Sequence, residues 1–103
     1  MAFPAMSPEQ RQVALEKARE ARSARSALLA GVREGSVTLA DVLGREDDLA
    51  RRTKVNQVLR ALPGVGPARA SAVMERAGIT ADRRVGGLGA RQREQLLAEF
   101  ATR

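Results

Sequence analysis

The chain has 103 residues, with 18 Lys plus Arg against 12 Asp plus Glu, two Phe as its only aromatics, and neither Cys nor His. That length holds one small core, and the missing donors exclude zinc sites, disulfide frameworks, haem ligation and Cys/His or Ser/His nucleophile chemistry. The excess of six positive charges, carried by 16 Arg among the 18 cations, points to an anionic polymer as partner, because the guanidinium fork matches phosphate oxygens.

Residues Met1 to Met6 form an apolar lead-in. Ser7-Pro8-Glu9-Gln10 then reads as a helix start, with Ser7 as cap, Pro8 at the first helical position and Gln10 closing a capping box. No breaker follows until Gly31 and Gly35, so the spacing predicts one long helix stopping near Gly35. On it Arg11, Arg19, Arg22, Arg25 and Arg33 share an arc of roughly 120°, opposite Glu9, Glu16, Glu20 and Glu34. The same arc holds Leu15, Ala18 and Leu29, which require burial, so a phosphate-facing and a core-facing reading compete along it.

Thr38 caps a short second helix that stops at Gly44. Glu46, Asp47 and Asp48 suit the first turn of a third helix over Leu49 to Leu62, whose inner face is Leu49, Val55, Val58, Leu59 and Leu62. Arg51, Arg52 and Lys54 lie beside that face. Pro67 starts a fourth helix, which ends at Gly78 with Ile79 placed for the hydrophobic contact of a Schellman cap. Thr80 to Gly89 is a tight segment, and Gly89 to Phe100 a fifth helix with Leu96 and Phe100 inward. No strand-like alternation occurs, so the expected fold class is all-α with about five helices. The expected organisation is a lead-in and long helix over 1–36 and a smaller domain over 37–103, in one unit. The longest uncharged runs are eight residues, too short for a bilayer span, so a soluble, cytoplasmic protein without a membrane partner is expected.

Leu62-Pro63-Gly64-Val65-Gly66, between two helices, is the informative motif. Its glycines let backbone amides approach a ligand, the following helix presents its positive end, and Arg69 adds a charged donor one turn in. A plain turn with Val65 plugging the core is the competing reading. Arg52, Lys54, Arg60, Arg69 and Arg76 around the motif favour phosphate.

Pro8-Glu9-Gln10-Arg11, Leu62-Pro63-Gly64-Val65-Gly66, Met74-Glu75-Arg76, Gly78-Ile79, Arg83-Arg84-Val85, Gly87-Leu88-Gly89 and Glu99-Phe100 together resemble the actinobacterial integration host factor family of nucleoid-associated proteins. The resemblance covers nearly the whole chain. It implies a long amino-terminal helix packed on a small helix-two-turn-helix domain that binds double-stranded DNA, bending or constraining it in the nucleoid. It further implies two contact surfaces. One is a lid of Leu62, Pro63, Gly64, Val65, Gly66, Pro67, Ala68 and Arg69; the other lies in the helix-two-turn-helix motif at Thr80, Arg83, Arg84, Gly87, Gly89, Arg91 and Gln92. The resemblance also implies Arg52 and Lys54 as flanking phosphate contacts. Many members carry Lys where this chain has Pro67 and Ser71, and Arg where it has Gly86. Those departures remove three cations, and Gly86-Gly87 is expected to loosen its turn; Arg91 and Arg93 are candidates to replace the charge.

The carboxy-terminal half also resembles a small-subunit ribosomal protein and formamidopyrimidine DNA glycosylases. A glycosylase requires a catalytic amine, and Pro4 stands behind Met1, Ala2 and Phe3, so no enzyme is expected. A ribosomal protein of this type carries a long basic tail, whereas only Ala101, Thr102 and Arg103 follow Phe100; structured RNA is the alternative partner. Without Trp or Tyr there is no platform for stacking unpaired bases, which favours duplex. No metal, cofactor or small-molecule substrate is expected, and the protein is expected to be a monomer in solution.

Overall fold

The computed structural model describes residues 7–100; the apolar lead-in lies outside the described residues, as do 101–103. Six α-helices follow in order: α1 Pro8–Glu34, α2 Leu39–Gly44, α3 Asp48–Arg52, α4 Val55–Ala61, α5 Pro67–Arg76 and α6 Ala90–Phe100, with a 3₁₀ turn at Val85–Gly87 before α6. The all-α expectation holds, with one helix more than expected.

Local signals set most helix ends. The Ser7 hydroxyl accepts the Gln10 N–H at 3.1 Å and the Gln10 Oε1 accepts the Ser7 N–H at 3.0 Å, the reciprocal box read from the sequence. Thr38 and Asp41 repeat it at α2, and those hydrogen bonds, first from the Thr38 backbone, hold the Asp41 carboxyl below its ordinary pKa. Asp47 caps α3 by accepting the Ala50 N–H. Its carboxyl, hydrogen-bonded by the Arg45 guanidinium, is lowered to about 2. At the other ends Gly35 and Gly78 adopt φ of 86° and 70°. Ile79 N–H reaches the Met74 carbonyl and Gly78 N–H that of Glu75, with Ile79 buried, which is the Schellman arrangement expected.

The expected third helix is the main correction: it breaks into α3 and α4 at Thr53-Lys54. Thr53 takes extended backbone angles, its side chain is buried, and its hydroxyl donates to the Leu49 carbonyl at 2.7 Å. The opened strand pairs across the fold. Val85 N–H donates to the Thr53 carbonyl and Val55 N–H to that of Arg83, forming an antiparallel bridge between Lys54 and Arg84. Helical hydrogen bonds at the break are given up and two long-range ones gained, a trade the apolar spacing of Leu49 to Leu62 cannot reveal.

One core, with Leu59, Leu96, Val32, Val42, Val55, Val58, Val73 and Val85 fully enclosed, joins all six helices. Only the end of α1 reaches it, through Leu28 and Val32 against α3 and α4. With 27 residues, α1 is about 40 Å long at 1.5 Å per residue, and residues 8–24 are exposed. The expectation that Leu15 and Ala18 are buried therefore fails: Leu15 stands 52% exposed. Leu29 and Arg25 are half-buried where the Arg arc meets the body.

Leu62 and Phe100 pack only partly against this cluster, whereas Leu59, Val73 and Leu96 lie within it. One side of Phe100 lines a cleft of about 350 Å³ shared with Val37, Leu62 and Pro63. Phe100→Ala is accordingly expected to cost about 2 kcal/mol, less than a fully enclosed Phe. Chemical denaturation checks this figure, and an unchanged midpoint would mean that α6 is not held through Phe100.

Candidate functional site

α4 spans seven residues, so the features at its two ends are about 10 Å apart along its axis. At the carboxyl end is the lid. Leu62 is half-buried and Val65 is buried, its N–H donating to the Leu62 carbonyl. Those two residues anchor the turn from below, so the core-plug reading of Val65 is correct for its side chain. Pro63, Gly64, Gly66, Pro67, Ala68 and Arg69 remain exposed. Gly64 has φ of 77°, a region other residues enter at a cost, which explains glycine there.

Gly66 is the N-cap of α5 and supplies no side-chain hydrogen bond, unlike the caps of α1, α2 and α3. The first-turn amides of Ala68 and Arg69 have no carbonyl one turn back to accept them. The positive end of α5 is therefore open to an anion. Beside it the Arg69 guanidinium lies 5.0 Å from the centroid of the Phe100 ring, which steadies a long cationic side chain at the lid. Arg60 is exposed in the last turn of α4. Arg76 does not join this group: it sits at the far end of α5 and pairs with Glu99 at 2.8 Å.

At the amino end of α4 an open cleft of about 620 Å³ gathers Asp48, Arg51, Arg52, Asp82, Arg83, Arg84, Gly86 and Gly87. Four guanidinium groups face two carboxylates, and the ion pairs within 4 Å among the described residues, Arg45–Asp47 and Arg76–Glu99, involve none of them. Arg83 and Arg84 are partly committed to the fold. Arg83 Nη1 donates to the Gly87 carbonyl and Arg84 Nη1 to the Arg52 carbonyl at the end of α3, each at 2.8 Å. Each keeps other N–H donors for an anion. Removing both therefore loosens this turn as well as discharging it.

The remaining residues assigned to the second surface are placed differently. Lys54 is exposed at the bridge with Arg84. Thr80 opens the turn whose carbonyl accepts the Arg83 N–H. Gly89 N–H donates to Gln92 Oε1, while Gln92 Nε2 donates to the Gly78 carbonyl, so that amide ties α6 to the end of α5. Arg91 is exposed on α6. Arg93 cannot replace a missing surface charge. Its guanidinium is turned inward, donating to the carbonyls of Leu43 at 2.6 Å, Val85 at 3.0 Å and Leu88 at 3.3 Å. Arg51, in contrast, faces the cleft and was not among the expected contacts; the residue that gives it room, Gly86, is 35 positions away in sequence.

Comparison with known proteins agrees with these features. Residues 32–100 match a family model described as an S13-like H2TH domain. The integration host factor of Streptomyces coelicolor is 43% identical over 104 residues, covering 99% of this chain and 97% of that protein. That of Mycobacterium tuberculosis is 41% identical, covering 99% of both. A solved structure of sIHF bound to an 8bp palindromic DNA superposes with a TM-score of 0.78 at 41% identity, covering 82% of this chain and 98% of that one. With that identity along nearly its whole length, the chain belongs to the actinobacterial integration host factor family.

Proposed function

We propose that this chain is a nucleoid-associated protein that binds duplex DNA through its phosphates, nearly indifferent to sequence, and constrains the course of the DNA between the lid and the cleft at the opposite end of α4. The observation that carries the reading is the uncapped positive end of α5 beside Arg69, about 10 Å along α4 from four gathered arginines. Amides and guanidinium groups of this kind hold the backbone and read no base edges. A 41% identical relative has been solved bound to DNA. Among the described residues no helix is long and apolar enough to cross a membrane. The reading makes the chain a binding protein rather than an enzyme, acting as a monomer without a cofactor or small-molecule substrate.

Titrations of AT-rich and GC-rich duplexes over a range of salt concentrations test it. Four to six phosphate contacts correspond to a slope of log affinity on log salt of about −4 to −5. A flat salt response, or a thousandfold preference between the two duplexes, would overturn it. Tighter binding to structured RNA than to either duplex at equal salt would favour the RNA alternative.

A further inference from the structure

Gly86 and Gly87 lie side by side in the 3₁₀ turn, and each is covered by an arginine side chain. A Cβ on Gly87 would stand 2.9 Å from Arg83 Cδ. One on Gly86 would stand 3.1 Å from both Cβ and Nε of Arg51 and 3.2 Å from the Arg51 carbonyl oxygen. The two stems cross adjacent glycines where side chains would otherwise stand, so the turn is covered rather than loosened. Arg83 is tied to the Gly87 carbonyl. Arg51 makes no comparable hydrogen bond or ion pair among the described residues, although it lies in the same cleft.

We infer that Arg51, admitted by Gly86, is a phosphate-binding residue of the second surface, clamping one backbone phosphate of duplex DNA together with Arg83. This rests on the DNA-binding reading above and extends it to a residue whose neighbourhood only the folded chain creates. An exposed guanidinium with all five donors uncommitted gives up no internal bond on meeting phosphate. Arg83 and Arg84 keep part of their donor sets for their carbonyl partners. Asp48 and Asp82 on the cleft wall leave its four arginines a net charge of about +2, which attracts a phosphate without holding it irreversibly. The device is reciprocal: a side chain at 86 presses on the Cβ, Nε and carbonyl oxygen of Arg51, which must give way, and without Arg51 the turn at 86 presents no charge of its own.

The test uses the full chain, a short duplex and several salt concentrations. Arg51→Gln keeps most of the stem over Gly86 and removes the charge. It is expected to lower the magnitude of the salt slope by about one unit and the affinity at 0.1 M salt by about fivefold to tenfold, with an unchanged melting temperature. Arg51→Lys is expected to keep the slope. Gly86→Val leaves net charge untouched yet is expected to reproduce the affinity loss of Arg51→Gln, and to add little in the Arg51→Gln background, as coupled sites do. Should Gly86→Val fail to fold, the Gln and Lys variants decide alone. Parental slope and affinity in Arg51→Gln overturn the inference. If at the same time Arg69→Gln lowers the slope, the DNA-binding reading stands and only the role of Arg51 falls. A flat slope in the parent overturns both.

Discussion

Gly66→Asp should raise the melting temperature and weaken binding to duplex DNA by more than tenfold, two effects of opposite sign from one side chain. Gly66 occupies the N-cap of α5 with φ of −90° and ψ of 175°, angles any residue adopts, and a Cβ there meets nothing within 4 Å. A carboxylate at this position can accept the open first-turn amides and face the positive end of the helix. Relative to glycine such a cap is worth only a few tenths of a kcal/mol, and a negative charge at the helix start adds about 0.5 kcal/mol. The same carboxylate occupies the place proposed for a phosphate and repels the next one. Gly64→Val supplies the contrast. At φ of 77° a branched side chain strains the backbone by roughly 1–2 kcal/mol, so it should lower both stability and binding. Thermal melting and duplex titration at fixed salt check the pair. A Gly66→Asp variant that is more stable and binds as the parent does would show that the start of α5 is not a phosphate site.

Arg93→Leu should cost roughly 3 kcal/mol of stability and leave the salt slope of DNA binding unchanged. Its guanidinium donates to carbonyls at the end of α2, in the 3₁₀ turn and just before α6. The end of α2, 50 residues away, is thereby tied through one guanidinium to the 3₁₀ turn and to the residue that follows it. Leucine retains some packing but leaves the Leu43 and Leu88 carbonyls without their guanidinium donor, each at a cost of about 1.5 kcal/mol where water has partial access, whereas the Val85 carbonyl keeps the Leu88 N–H. For a domain of this size that corresponds to a fall in melting temperature of roughly 10–20 °C. The slope should not move, because a guanidinium engaged internally releases no counterion on binding. A parental melting temperature would show that the carbonyls find water instead. A slope lower by one unit would return Arg93 to the surface charges, where its sequence position first placed it.

The contrast between Arg93 and Arg69 shows how far the sequence alone reaches. Caps and stops were legible at Ser7, Thr38, Gly35 and Gly78 because each acts on amides or carbonyls within one turn, so the neighbouring residues carry the information. The lid was legible for the same reason: a Gly-rich turn before a proline-started helix exposes amides whatever surrounds it, and Arg69 is one turn in. The all-α class followed from the apolar spacing.

Only the tertiary structure decided the break at Thr53, since Leu49 to Leu62 keep helical periodicity through it. The competing hydrogen bonds come from Arg83 and Val85, some thirty residues on. It also decided which arginines are free. Charge is visible in a sequence, but the partner of a charge is not. Arg76 is taken by Glu99, Arg93 by three carbonyls and Arg84 in part by Arg52, while Arg51 is left facing the cleft over Gly86. Local rules act through covalent neighbours and survive without the fold, whereas a long side chain finds its acceptor only after the core has brought distant backbone within its reach.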